Sequence, residues 1–282
     1  MDPDLRPGDN GHRATLPRAL DWLRSRVDGL RRRDIGIRAL AIGPDRLFVD
    51  TPDRYAAVLA WKLGLRDGRA RRLIAREVAP GMVAVDVGAN VGWYTLELAR
   101  RVGTGGRVYA LEPEAHCFEL LGRAVGAGRC TQVELRQVAA ADYSGWTTLY
   151  LADVDQGDHR ILPAAAERHM VTVRAVSLDD LLADAPCIDF VKLSVQGAEV
   201  GALRGLRRTL ARHPALRVLC TISPALLERA GSGADAVFDL LAESGRTPHR
   251  LRRDGVAEPI RPRVAWSLAR ARGRLQVYFL RR

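Results

Sequence analysis

The chain has 282 residues with a hydrophobic fraction of 47%, enough for one large α/β domain plus an additional element and too little for several independent catalytic units. No stretch approaches the roughly 18 uncharged apolar residues that span a bilayer, and the start Met1-Asp2-Pro3-Asp4 leads into no apolar signal segment, so a cytoplasmic location is expected. The net charge of +11 divides into 17 basic and 11 acidic side chains over residues 1–80, 16 and 20 over 81–245, and 11 and 2 over 246–282.

A groove that tracks phosphates needs its positive charge around the site, so the acidic centre argues against a nucleic-acid partner. The basic tail over 246–282 would either complete a sheet edge or meet an acidic carrier protein, and completing the sheet is the expectation. The cysteines at 117, 130, 187 and 220 show no C-x-x-C spacing and read as reduced core residues, with no metal site.

In chain order, residues 1–15, rich in Pro, Gly, Asp and Asn, read as disordered. Leu16, Ala19, Leu20, Leu23, Val27 and Leu30 recur at helical spacing and predict an amphipathic helix that packs on its own domain. Short apolar pieces around Gly43-Pro44-Asp45 predict a β-hairpin within residues 35–50, followed by helices over 55–63 and 70–78. Residues 16–79 form an N-terminal helical and hairpin extension on this reading, and 80–282 form the main domain.

The main domain alternates strands and helices. Strands are predicted at 82–87, 107–111, 133–138, 190–195, 217–222 and 247–251, with helices at 92–101, 115–125, 199–212 and 234–244. That order implies a doubly wound, mostly parallel Rossmann-like sheet with right-handed crossovers, whose ligands bind at the carboxyl ends of the strands. Residues 139–189 carry β-like segments at 147–151 and 171–176, read as an inserted hairpin near the cleft.

The most informative string is Val85-Asp86-Val87-Gly88-Ala89-Asn90-Val91-Gly92-Trp93-Tyr94-Thr95, where the first strand turns into a helix. Gly88 and Gly92 let backbone pass close to a ligand, Asn90 tolerates left-handed geometry, and the helix start offers free N–H groups to an anion. Tyr94 and Thr95 belong to the same constellation. Asp86 would sit beside an ammonium group. A nicotinamide cofactor would bring a pyrophosphate that this acid repels, whereas S-adenosylmethionine carries an ammonium, a carboxylate and a sulfonium, which suits the arrangement.

Glu112-Pro113 ends the second strand, where an acid can accept from ribose hydroxyls. Small residues around Ala140 would admit a flat ring, and Asp142 would accept from an adenine amino group.

At these residues the chain resembles the FkbM family of class I methyltransferases, which methylate hydroxyl oxygens of secondary metabolites, sugars and related molecules. The resemblance covers roughly residues 80–255 and extends to Ser177-Leu178-Asp179 and to Lys192-Leu193-Ser194-Val195-Gln196-Gly197-Ala198-Glu199. It implies an S-adenosylmethionine-dependent O-methyltransferase acting on a hydroxyl of a small molecule such as a secondary metabolite, sugar or polyketide. The family usually places acids where this chain has Ser194 and Gln196, and neither replacement is a useful base or a strong ligand for a hard metal. The alternative is therefore a catalytically weakened or inactive protein that keeps the fold and binds cofactor or a partner.

Ser194 is counted with the cofactor site. Methyl transfer to oxygen gains much of its acceleration from positioning, so a strong base is not essential. The candidates are Glu199, Lys192 with its charge suppressed by burial, and His159 or His169 from the insertion.

Overall fold

The computed structural model describes residues 36–64, 66–151, 169–233 and 235–281. The first 35 residues, with the amphipathic helix expected there, and residues 152–168, with His159, lie outside the described residues.

Strands β1 (Arg38–Ile42) and β2 (Asp45–Val49) form an antiparallel hairpin that turns at Gly43, φ 60°. Helix Pro52–Lys62 follows. Thr51 accepts from the Arg54 N–H at its start, and proline occupies the first turn, where its missing N–H costs nothing. Helix Gly68–Glu77 then leads to β3 (Val83–Val87), every residue of which is buried.

The remaining strands are β4 (Arg107–Leu111), β5 (Val133–Arg136), β6 (Ala139–Ala141), β7 (Gly145–Tyr150), β8 (Met170–Ser177), β9 (Phe190–Leu193), β10 (Arg217–Ile222), β11 (Arg246–Leu251), β12 (Ala257–Pro259) and β13 (Leu275–Arg281). The central sheet has eight strands in the order β12-β11-β13-β10-β9-β3-β4-β5. From β10 through β5 every pairing is parallel, while β13 pairs antiparallel with both β10 and β11. This is the doubly wound, mostly parallel Rossmann-like sheet expected of a class I methyltransferase.

Strand alternation sends Val83, Val85 and Val87 to one face, against Leu203, Leu206, Leu227, Phe238 and Ala265. Ala84 faces the other way, into a core built with Tyr94, Leu98, Val58, Trp61, Leu73 and Ile74. The hairpin and two helices of residues 38–77 thus share a core with the sheet they cover, and Trp61 meets Tyr94 edge-on at 4.7 Å between ring centroids.

Three details depart from the sequence reading. The segment expected as one helix over 199–212 is two, Glu199–Arg204 and Arg207–Arg212. A Cβ at Gly205 would come within 2.0 Å of the Ala141 carbonyl oxygen. The chain turns there, and the Gly205 carbonyl accepts from Asp179 N–H and Ser177 Oγ. Asp179 in turn accepts from the N–H groups of Arg208 and Thr209, capping the second helix. The conspicuous Ser177-Leu178-Asp179 run is accordingly a joint between the insertion and this helix pair.

The third strand ends at Arg136, and β6 leaves for a separate three-stranded sheet with β8 and β7. In that sheet β7 and β8 form the expected antiparallel pair. The basic C-terminal strand does join the main sheet, but inside it rather than at its edge, which β12 occupies.

Candidate active site

A cleft open to solvent lies over the carboxyl ends of β3, β4, β9 and β10 and is closed on one side by the start of β13. Of the residues singled out in the sequence, Gly88, Asn90, Tyr94, Glu112, Pro113, Ala140, Lys192 and Ser194 line it.

The turn after β3 is built from three left-handed residues, Gly88 (φ 78°), Asn90 (φ 51°) and Gly92 (φ 101°). Glycine is required at 88 because a Cβ would sit 2.2 Å from the Ser194 carbonyl oxygen, where the ends of β3 and β9 touch. The N–H groups of Gly88 and Ala89 both donate to the Leu111 carbonyl, which pins the turn to β4. Helix Trp93–Val102 then starts at Gly92 with no side-chain cap, so its first N–H groups stay available to an anion. Gly92 itself packs under the turn near Leu121 and does not face the cleft.

Glu112 stands at the end of β4, 5% exposed. Its Oε2 accepts from Asn90 N–H at 2.8 Å and its Oε1 from Glu114 N–H at 3.0 Å. A carboxylate has about four acceptor sites, so each oxygen keeps capacity for a hydroxyl donor in the cleft. Burial pushes the carboxyl up to about 7, opposed by the Glu114 and Asn90 N–H groups. The neighbouring wall includes Val138, Ala139, Ala140 and Leu149, an apolar surface to which the inserted hairpin contributes Leu149. Asp142 is exposed beyond it and does not line the cleft.

Asp86, expected beside a ligand ammonium, lies instead in the core at 0% exposure. It shares the face of Ala84, so alternation points it at helix Trp93–Val102, where Thr95 Oγ1 donates to its Oδ2 at 2.7 Å. Lys192, its register partner across β3 and β9, puts Nζ 3.0 Å from Oδ1. The same ammonium donates to the Gly88 carbonyl at 2.9 Å and lies 4.9 Å from the Tyr94 ring centroid. Lys192 thus lies between the buried Asp86 carboxylate and the cleft wall that it helps to line. Thr95, holding Asp86, sits behind that wall.

Glu199 is 1% exposed and turns into its own loop, accepting from the N–H groups of Val195 at 3.0 Å and Gly197 at 2.9 Å. Burial drives it up to about 7 against those donors. This carboxylate shapes residues 194–197, where Gln196 (φ 54°) and Gly197 (φ 100°) are left-handed, and it does not line the cleft. His169 is exposed and does not line it either.

Trp93, from the β3 turn string, lines the cleft as well, and sequence reasoning did not single out Arg66, Asp67, Thr221, Arg274 and Gln276. Arg274 Nη2 approaches Asp67 Oδ1 at 3.3 Å, and Gln276 Nε2 donates to Tyr94 Oη at 2.6 Å. The Arg66 guanidinium lies 5.2 Å from the Trp93 ring centroid. Only the basic, strand-like tail hinted at this wall, and nothing local said where it would land. Among the described residues no three His, Cys, Asp or Glu side chains cluster as ligands to a metal ion.

No curated protein sequence matches the chain significantly. Among solved structures, the methyltransferase FkbM of Methylobacillus flagellatus KT aligns at 16% identity over 79% of this chain and 52% of its own, with a TM-score of 0.42. This chain thus spans about half of that protein's length. Precorrin-6y C5,15-methyltransferase of Geobacter metallireducens GS-15 aligns at 12% over 76% and 87%, TM-score 0.43. A SAM-dependent methyltransferase of Aquifex aeolicus aligns at 15% over 75% and 88%, TM-score 0.42. The sequence profile of the methyltransferase FkbM domain matches residues 86–246, more than half of the chain, from the end of β3 through β10, and the chain belongs to the FkbM methyltransferase family.

Proposed function

We propose that the cleft binds S-adenosylmethionine and that the protein transfers its methyl group to a hydroxyl of a small molecule, such as a secondary metabolite, sugar or polyketide. The observation that carries this reading is Glu112, a buried carboxylate facing the cleft with acceptor capacity on both oxygens. It suits two vicinal ribose hydroxyls. The uncapped helix start suits a carboxylate, and the apolar wall around Ala140 suits an adenine ring. When bound, the cofactor supplies a methyl group on a sulfonium, already activated for displacement.

The chain's own part is positioning. The β3 and β4 ends would hold the nucleoside, leaving the half lined by Asp67, Trp93, Thr221 and Gln276 to the acceptor. That half offers amide and hydroxyl groups beside aromatic faces, in keeping with a hydroxylated molecule.

The test is S-adenosylhomocysteine formation with a panel of hydroxylated small molecules. Amine and carbon acceptors are run beside the panel, and turnover confined to them would sink the reading. Ser194 and Gln196 favour a second one, binding without catalysis, because neither supplies an acid at the β9 end. Tight cofactor binding with no product across the panel would support it.

A further inference from the structure

We infer that Asp67 is the proton acceptor of the methyl transfer, a carboxylate brought to the acceptor half of the cleft from outside the family-matched segment. The inference rests on the O-methyltransferase reading.

Among the described residues lining the cleft the acids are Asp67 and Glu112. Glu112 belongs to the β4 side, where its two oxygens hold the backbone of Asn90 and Glu114. Glu199 is spent on its own loop, and Lys192 is paired with Asp86. Asp67 is the carboxylate that remains on the β10 and β13 side, beside a β9 end that Ser194 and Gln196 leave without an acid.

Its local geometry is unusual for its place. Asp67 is the N-cap of helix Gly68–Glu77, where an aspartate normally accepts from the N–H groups of the first turn. Here it makes no such bond, and its backbone is left-handed, φ 55°, a conformation Asp reaches more easily than most residues but still an uncommon one. The side chain, 15% exposed, is turned instead toward Arg274 Nη2, 3.3 Å from Oδ1, with Arg66 Nε 3.9 Å from Oδ2. The hydrogen bond from Arg274, 207 residues away in the chain, is what directs it, and Oδ2 retains room for a hydroxyl donor. A residue that gives up its cap and is turned to a cleft wall by a distant arginine fits an acid held for chemistry.

The step balances. A lone pair of the acceptor oxygen forms the new C–O bond as the C–S bond breaks with its electron pair on sulfur, and the hydroxyl proton passes to Asp67 Oδ2 and then to solvent.

The test uses Asp67→Asn, which keeps size and left-handed tolerance, and Asp67→Gly, which suits the same φ. Asp67→Asn should unfold within about 2 °C of wild type and bind S-adenosylmethionine within about twofold by calorimetry. Its turnover should fall by about 10²–10⁴ with little change in acceptor KM. Added formate should restore part of the turnover of Asp67→Gly, which a structural role would not allow. Turnover of Asp67→Asn within about threefold of wild type overturns the proposal and leaves O-methylation standing. So does a loss explained by unfolding or by lost cofactor binding in both variants. Wild-type protein that yields no product from any hydroxylated acceptor overturns the reading and the proposal together.

Discussion

Replacing Asp86 by asparagine separates a structural charge from a ligand-binding one. The substitution keeps an acceptor for Thr95 Oγ1 but removes the negative member of a pair in which Asp86 is 0% and Lys192 4% exposed. The ammonium would retain the Gly88 carbonyl and the face of Tyr94, neither of which carries a compensating charge. Truncating one partner of a buried pair costs about 3–5 kcal/mol, a large part of the roughly 5–15 kcal/mol that holds a typical domain. At ~2–4 °C per kcal/mol for a domain of this size, the melting temperature should drop by about 10 °C. Urea unfolding followed by circular dichroism would show a lower midpoint at unchanged slope. Asp86→Asn combined with Lys192→Met, which removes both charges, should recover most of the loss. The reasoning is refuted if Asp86→Asn unfolds within about 1 kcal/mol of wild type while S-adenosylmethionine binding weakens more than about a hundredfold. Asp86 would then serve the ligand directly.

Glu112→Ala removes a carboxylate that would take two hydroxyl donors. At about 1.5–3 kcal/mol per charge-assisted bond, calorimetry should find S-adenosylmethionine affinity at least ~100-fold lower with the far-ultraviolet spectrum intact. Gly88→Ala places a methyl 2.2 Å from the Ser194 carbonyl at φ 78°, so the β3 and β9 ends must part. A loss of several kcal/mol in denaturant unfolding, together with loss of cofactor binding, is expected. Glu199→Gln turns an amide NH₂ toward N–H donors of Val195 or Gly197 and should cost about 1–3 kcal/mol. Glu112 and Glu199 are both raised from 4.5 to about 7 by burial. The folded state therefore binds more protons than the unfolded chain between those values, and this contribution to stability is lost as pH rises through that window. Urea midpoints measured from pH 4.5 to 7.5 should record the decline, with a shallower slope for Glu199→Gln.

Local signals carried the sheet well. The period of apolar residues and the Gly88 to Gly92 turn fix β3, its following helix and the parallel neighbours, because strand burial and turn chemistry act within a few residues. What failed to appear in the sequence is non-local. The break at Gly205 depends on Ala141, far away in the chain. Asp86 and Lys192 were each noticed, but only their facing positions on β3 and β9 make them neutralise one another. Glu199 reads as a reactive acid in a list and as a loop fastener once its donors are visible. Asp67 and Arg274 are separated by most of the chain and meet because β13 inserts beside β10.

That insertion also orders the birth of the protein. Strands β10 and β11 are translated before β13 yet cannot join without it, since β13 is hydrogen-bonded to both and buries Val277, Tyr278 and Phe279 between the two helical layers. A ribosome-bound chain that stops short of Leu275 carries two open β-edges ready to pair with strangers.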